Sequence, residues 1–188
     1  MKRLTCTSIA GNPLATLKWF SGQRELPSIY TTRDNYASAE LAFVPDQVDN
    51  GAELRCEATN VAIEDNDNSP FIASRQLNVQ FAPAYVQVSI MPESPKAGQN
   101  ATLICETGSS RPAAAVDWWS NGKKLTKDAT EMVVDGGDHG GYVTSSHLLI
   151  TLTPEHHGAV ITCEANNRIV KKRVHKDITL SVKRKLQS

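Results

Sequence analysis

The four cysteines of this 188-residue chain, at 6, 56, 105 and 163, are the residues whose chemistry is most tightly constrained by spacing. A thiol can hold a metal, exchange electrons or close a disulfide. Metal clusters and redox motifs need a close pair of cysteines, and none of these four lies near another. Two long-span disulfides, one per domain, are the simplest remaining account, although more than one pairing is open. That account places the chain in an oxidising compartment.

Other polar residues have narrower prospects. Asn100-Ala101-Thr102 is an unblocked glycosylation sequon, and a modified Asn100 is expected there, with a plain exposed asparagine as the competing reading. Glu64, Asp65, Asn66, Asp67 and Asn68 offer oxygens that suit calcium, but they lack the spacing of a known calcium loop. They read better as a solvated hairpin tip. All five histidines lie in the second half, with His156 and His157 adjacent. Adjacent residues of a strand point apart, which argues against a two-histidine metal site. Asp135, Asp138 and His139 read as a polar loop. No nucleophile elbow, zinc-protease string or phosphate-binding loop occurs, so no catalytic residue, metal or cofactor is assigned.

An internal repeat supplies the elements that position these residues. Cys6 and Cys105 are 99 residues apart, as are Trp19 and Trp118, so each tryptophan follows its cysteine by 13 residues. Cys56-Glu57-Ala58 recurs as Cys163-Glu164-Ala165, and Gly51-Ala52 recurs as Gly158-Ala159. The later cysteines are 107 apart, so the second copy carries an insertion, best placed in the glycine-rich stretch 135–141. Short β-rich segments at 39–43, 103–105 and 147–152 stand between turn formers such as Asn121-Gly122, the pattern of a sandwich of short strands. Domains are expected at 1–81 and 82–183, with 184–188 a linker or tail. The boundary falls near Phe81-Ala82-Pro83, after a strand at 75–80 and before one at 84–90. So short a connection predicts a stiff hinge.

A cysteine, a tryptophan 13 residues on and a distant second cysteine resemble the signature of the immunoglobulin superfamily. The resemblance implies an all-β fold of two tandem immunoglobulin-like Greek-key sandwiches. It also implies the pairings Cys6–Cys56 and Cys105–Cys163, each bridge stapling two sheets with Trp19 or Trp118 packed against it. Trp119 must then face the other way, with Phe20 as its counterpart. Many members carry a tyrosine two residues before the second cysteine; here Leu54 and Ile161 stand there, which argues against an antibody-like variable domain. The strings 49–58, 140–149 and 174–182 are similar to the nephrin family, with its insect members sticks-and-stones and hibris.

That likeness implies the extracellular part of a single-pass plasma-membrane adhesion protein, its membrane segment outside this chain. The implied partner is another immunoglobulin protein of the Neph/irregular-chiasm type, or a second copy of the chain itself. Receptors for soluble cues and spacer domains are the alternatives. A formal net charge of zero, from 20 basic and 20 acidic residues, lacks the one-sided field of a nucleic-acid binder. The partner-binding residues are not legible; Tyr30, Tyr36 and Tyr142 are the first to replace. Only five residues precede Cys6, so the first domain is expected to lack its N-terminal strand A, and Met1 is not expected to be a natural domain start.

Overall fold

The computed structural model describes residues 1–61 and 70–183. The acidic run at 64–68 and the tail at 184–188 lie outside the described residues. The chain divides into two compact units, Met1–Val79 and Gln80–Ser188, and each is a two-sheet β-sandwich.

In the first unit, strands β1 (Lys2–Ile9), β2 (Thr16–Ser21), β3 (Arg24–Leu26), β4 (Ile29–Arg33), β5 (Tyr36–Phe43), β6 (Glu53–Thr59) and β7 (Phe71–Gln76) form two antiparallel sheets. One has the order β1-β5-β4 and the other β3-β2-β6-β7. In the second unit, β8 (Val86–Met91), β9 (Asn100–Thr107), β10 (Ala115–Ser120), β11 (Lys123–Lys124), β12 (Ala129–Gly137), β13 (Gly141–Thr151), β14 (Val160–Asn167) and β15 (Lys172–Thr179) form sheets β12-β13-β9-β8 and β11-β10-β14-β15.

Side chains alternate across a strand, and the sequence obeys that period where the core requires it. Ala101, Leu103 and Cys105 on β9 point inward, as do Val116 and Trp118 on β10 and Ile161, Cys163 and Ala165 on β14. The first core is smaller, built on Leu17, Trp19, Ala37, Ala39, Leu41, Leu54 and Cys56. Leu54 and Ile161, where many members carry a tyrosine, are both buried and pack into these cores. The hairpin between β10 and β11 turns on Asn121 and Gly122, with φ of 48° and 74°. Two successive left-handed residues match the twist of the flanking strands, and Asn-Gly is the pair that adopts them most readily.

The insertion in the second copy lengthens a hairpin. β12 and β13 have 9 and 11 residues, against 5 and 8 for β4 and β5. Gly136 takes φ of 103° where their turn begins. The two units also differ at one sheet edge. In the second, β8 covers the outer edge of β9, with Val86 opposite Thr107 and Met91 opposite Thr102. Among the described residues of the first, β1 pairs with β5 alone.

The two compact units meet at Val79/Gln80, two residues before the boundary expected at 81. Phe81 belongs to the second unit because its backbone N–H and C=O both bond to Arg111, at 2.9 and 2.8 Å. Its carbonyl also accepts from the buried Asn167 Nδ2 at 3.0 Å. Val79 closes the first unit, its N–H donating to Asn50 Oδ1 at 2.9 Å. The strand expected at 75–80 ends earlier, since β7 covers Phe71–Gln76.

Candidate functional site

The centre of each sandwich is a cross-sheet staple. Disulfides join Cys6 to Cys56 and Cys105 to Cys163, each with Cα atoms 6.4 Å apart. Trp19 lies directly across β2–β6 from Cys56, and Trp118 directly across β10–β14 from Cys163. Opposed residues share a face, so each indole stacks beside its disulfide. The indole N–H then crosses to the other sheet. Trp19 Nε1 donates to the Ala39 carbonyl, and Trp118 Nε1 to the Ser146 hydroxyl, both at 3.0 Å. Ala39 and Ser146 occupy equivalent places, opposite Cys6 and Cys105 respectively. Each bridge stabilises its unit by about 4 kcal/mol in the chain-entropy account. These groups hold the fold.

What faces outward is more distinctive. On β3-β2-β6-β7, Phe20 lies opposite Arg55, whose guanidinium carbon sits 5.6 Å from the ring centroid. Arg55 Nε is 2.8 Å from Glu57, and Lys18 Nζ is 3.0 Å from Glu25. Ile72, opposite Glu57, is exposed. On β11-β10-β14-β15, Trp119 is half-buried with Lys124 Nζ 5.7 Å from its ring centroid. Lys124 also reaches Asp117 at 2.7 Å, and Arg173 reaches Glu164 at 3.3 Å. Trp119 Nε1 is shielded from solvent and finds no hydrogen-bond partner among the described residues. Each face thus centres on an aromatic ring capped by a cation and rimmed by paired charges. Surface ion pairs of this kind add little stability, and the cation–ring contacts add about 0.5–1 kcal/mol each. An aromatic ring within a rim of polar groups is a composition also found at the centres of protein interfaces.

The residues named from sequence scatter. Tyr30 donates its hydroxyl to the Ala15 carbonyl at 2.9 Å, so it ties its own unit together. Tyr36 ends the register of β5 against Ile9, and Tyr142 is held through its backbone to Ser110. His156 Nδ1 accepts from the Thr153 N–H at 2.9 Å, and His157 Nδ1 from the Val182 N–H at 3.2 Å, so the neighbouring rings serve different backbone groups. Asp135 was expected in a polar loop, but it lies within β12 opposite Tyr142 because the longer hairpin extends the strand pairing. The turn with Asp138 and His139 docks through Ser109 Oγ to the Asp138 carbonyl and Arg111 to the Gly140 carbonyl. Asn100 is exposed at the start of β9. Among the described residues no group of three or more histidine, cysteine or acidic side chains is placed to hold a metal. No helix among them is long and apolar enough to cross a membrane. Arg55 and Lys124 were missed by sequence reading, although the Asn121-Gly122 hairpin places Lys124 opposite Trp119 by register alone.

Two tandem sandwiches, each with a cross-sheet disulfide and a tryptophan beside it, define the chain's class: it belongs to the immunoglobulin superfamily. Residues 85–173 match the family model of the CD80-like C2-set immunoglobulin domain. Within that superfamily the sequence is similar to nephrin. It is 32% identical to nephrin of Rattus norvegicus over 183 residues, which is 96% of this chain and 14% of that protein. It is also 27% identical to cell adhesion molecule 2 of Xenopus tropicalis over 176 residues, 89% of this chain and 37% of that protein. The chain therefore spans a small part of its curated relatives. Among solved structures, Rst D1-D2 superposes with a TM-score of 0.63 at 19% identity, covering 97% of this chain and 92% of that one. The ectodomain of mouse nectin-like molecule 4 gives 0.61 at 20% identity, covering 99% of this chain and 60% of that one. Both likenesses concern the fold.

Proposed function

We propose that this chain is a segment of the extracellular part of a single-pass cell-surface adhesion protein and acts by protein–protein contact. The carrying observation is the alignment with nephrin over 96% of the chain, both sandwiches included. The partner is another immunoglobulin-superfamily surface protein, of the Neph/irregular-chiasm type, or a second copy of the chain. It is not an enzyme, and it needs no cofactor or metal. The faces built on Phe20–Arg55 and Trp119–Lys124 are its contact surfaces, because an aromatic anchor within a polar rim is the usual energetic centre of such an interface.

The test is binding of the multimerised chain to cells displaying candidate immunoglobulin partners, and to itself, since avidity reveals weak single contacts. Specific binding that Phe20→Ala or Trp119→Ala weakens, with both disulfides intact, supports the reading. Silence across the panel from folded, oxidised protein removes recognition from these two domains and leaves them as spacers.

A further inference from the structure

Sheet β12-β13-β9-β8 carries a feature that the recognition reading does not use. Asn100 opens β9 opposite Thr151 of β13, and the Thr151 hydroxyl donates to Asn100 Oδ1 at 2.8 Å. The carboxamide oxygen is thereby held, and the exposed Nδ2 has no partner among the described residues. Thr102, two residues on, faces the same side because strand side chains alternate. It lies in a cross-strand row between Met91 of β8 and Leu149 of β13. Those two are 65% and 58% exposed, large apolar side chains on an open sheet face beside the asparagine.

We propose that Asn100 is N-glycosylated and that the sugar nearest the protein lies over the Met91–Thr102–Leu149 row. The inference rests on the extracellular reading above, since the transfer occurs in the secretory pathway. Asn100 Nδ2 forms a bond to the anomeric carbon of an oligosaccharide carried on a lipid pyrophosphate. The bond from that carbon to the pyrophosphate oxygen breaks, Nδ2 gives up one proton, and the lipid pyrophosphate leaves, with no change of oxidation state. Asn100-Ala101-Thr102 meets the sequon requirement, with the hydroxyl residue on the asparagine's side and no proline between. A pyranose ring presents aliphatic C–H faces, which suit Met91 and Leu149 better than water does. A glycan so seated withdraws this sheet from flat protein contact and leaves the opposite face, with Trp119 and Lys124, as the open one.

The experiment secretes the chain from animal cells and measures occupancy by mass spectrometry before and after peptide N-glycosidase. The expected result is a heavier species whose extra mass the enzyme removes, leaving aspartate at 100. Asn100→Gln and Thr102→Ala should each abolish it, the two variants guarding against a folding defect in one. Glycosidase treatment of the folded chain should raise binding of an apolar dye, and Leu149→Ser should remove that rise. Secreted chain with both disulfides closed and Asn100 unmodified overturns the site. A glycan whose removal leaves dye binding unchanged overturns its placement. Surface labelling of the full-length protein tests the extracellular reading separately, because occupancy is scored only on material that has passed through the secretory pathway.

Discussion

Trp118 donates its indole N–H to the Ser146 hydroxyl across the second sandwich, whereas its counterpart Trp19 donates to the backbone carbonyl of Ala39. The same bond therefore depends on a side chain in one unit and on the main chain in the other. Ser146→Ala strands a fully buried N–H, which should destabilise the second unit by about 1–3 kcal/mol. Ala39→Ser should leave the carbonyl in place and the bond intact. Denaturant unfolding, read with a probe specific to each unit, separates the two cases. Equal losses in both units would contradict this account.

The two disulfides differ in access. Cys105 and Cys163 are fully buried, while Cys6 is half-buried and lines a groove of about 400 Å³ with Ile9, Ala58, Phe71 and Ala73. Thiol exchange requires a nucleophile to reach a sulfur. Mild reductant followed by alkylation should label Cys6 and Cys56 well before Cys105 and Cys163. Peptide mapping over time checks the order.

Amide exchange should distinguish β1 from β9. Both carry the first cysteine of their unit, but β9 is paired on both sides and β1, among the described residues, on one. Main-chain groups on an unpaired edge reach solvent without breaking a ladder bond. Half of the β1 amides should exchange quickly under native conditions while those of β9 stay protected. Uniform protection of β1 would mean that something covers its edge.

Asn167 is a buried side chain with five hydrogen-bond partners among the described residues. Its Nδ2 donates to the Phe81 carbonyl, Ser110 Oγ and the Pro112 carbonyl, and its Oδ1 accepts from the Ile169 and Val170 N–H groups. Asn167→Ala should destabilise the second unit by about 3 kcal/mol, since several buried groups lose their partner together. Thermal unfolding checks it, with Asn166→Ala as the half-buried neighbour expected to have little effect.

The parts of the fold legible in sequence were those fixed by local chemistry. The Cys–Trp interval reflects the path from one sheet to the other, and both copies share it, so the repeat reads as two sandwiches. Asn121-Gly122 likewise carries its turn in its own residue types. The place of Phe81 was not legible, because it is decided by Arg111 and Asn167, which are distant in sequence and become neighbours only after folding. The candidate faces were half legible. Alternation sends Phe20 and Trp119 outward, but which cation caps each ring depends on strand register, in one case across the β2–β6 pairing.

The two staples also govern what the chain does when pulled. Force applied through its ends can draw out only the residues outside the closed loops. The spans Cys6–Cys56 and Cys105–Cys163, with separations of 50 and 58 residues, stay locked at their bases until a sulfur–sulfur bond is cut. At roughly 3.4 Å per extended residue, each span withholds roughly 170–200 Å of length from tension. Reducing the bridges would release that length to the applied force.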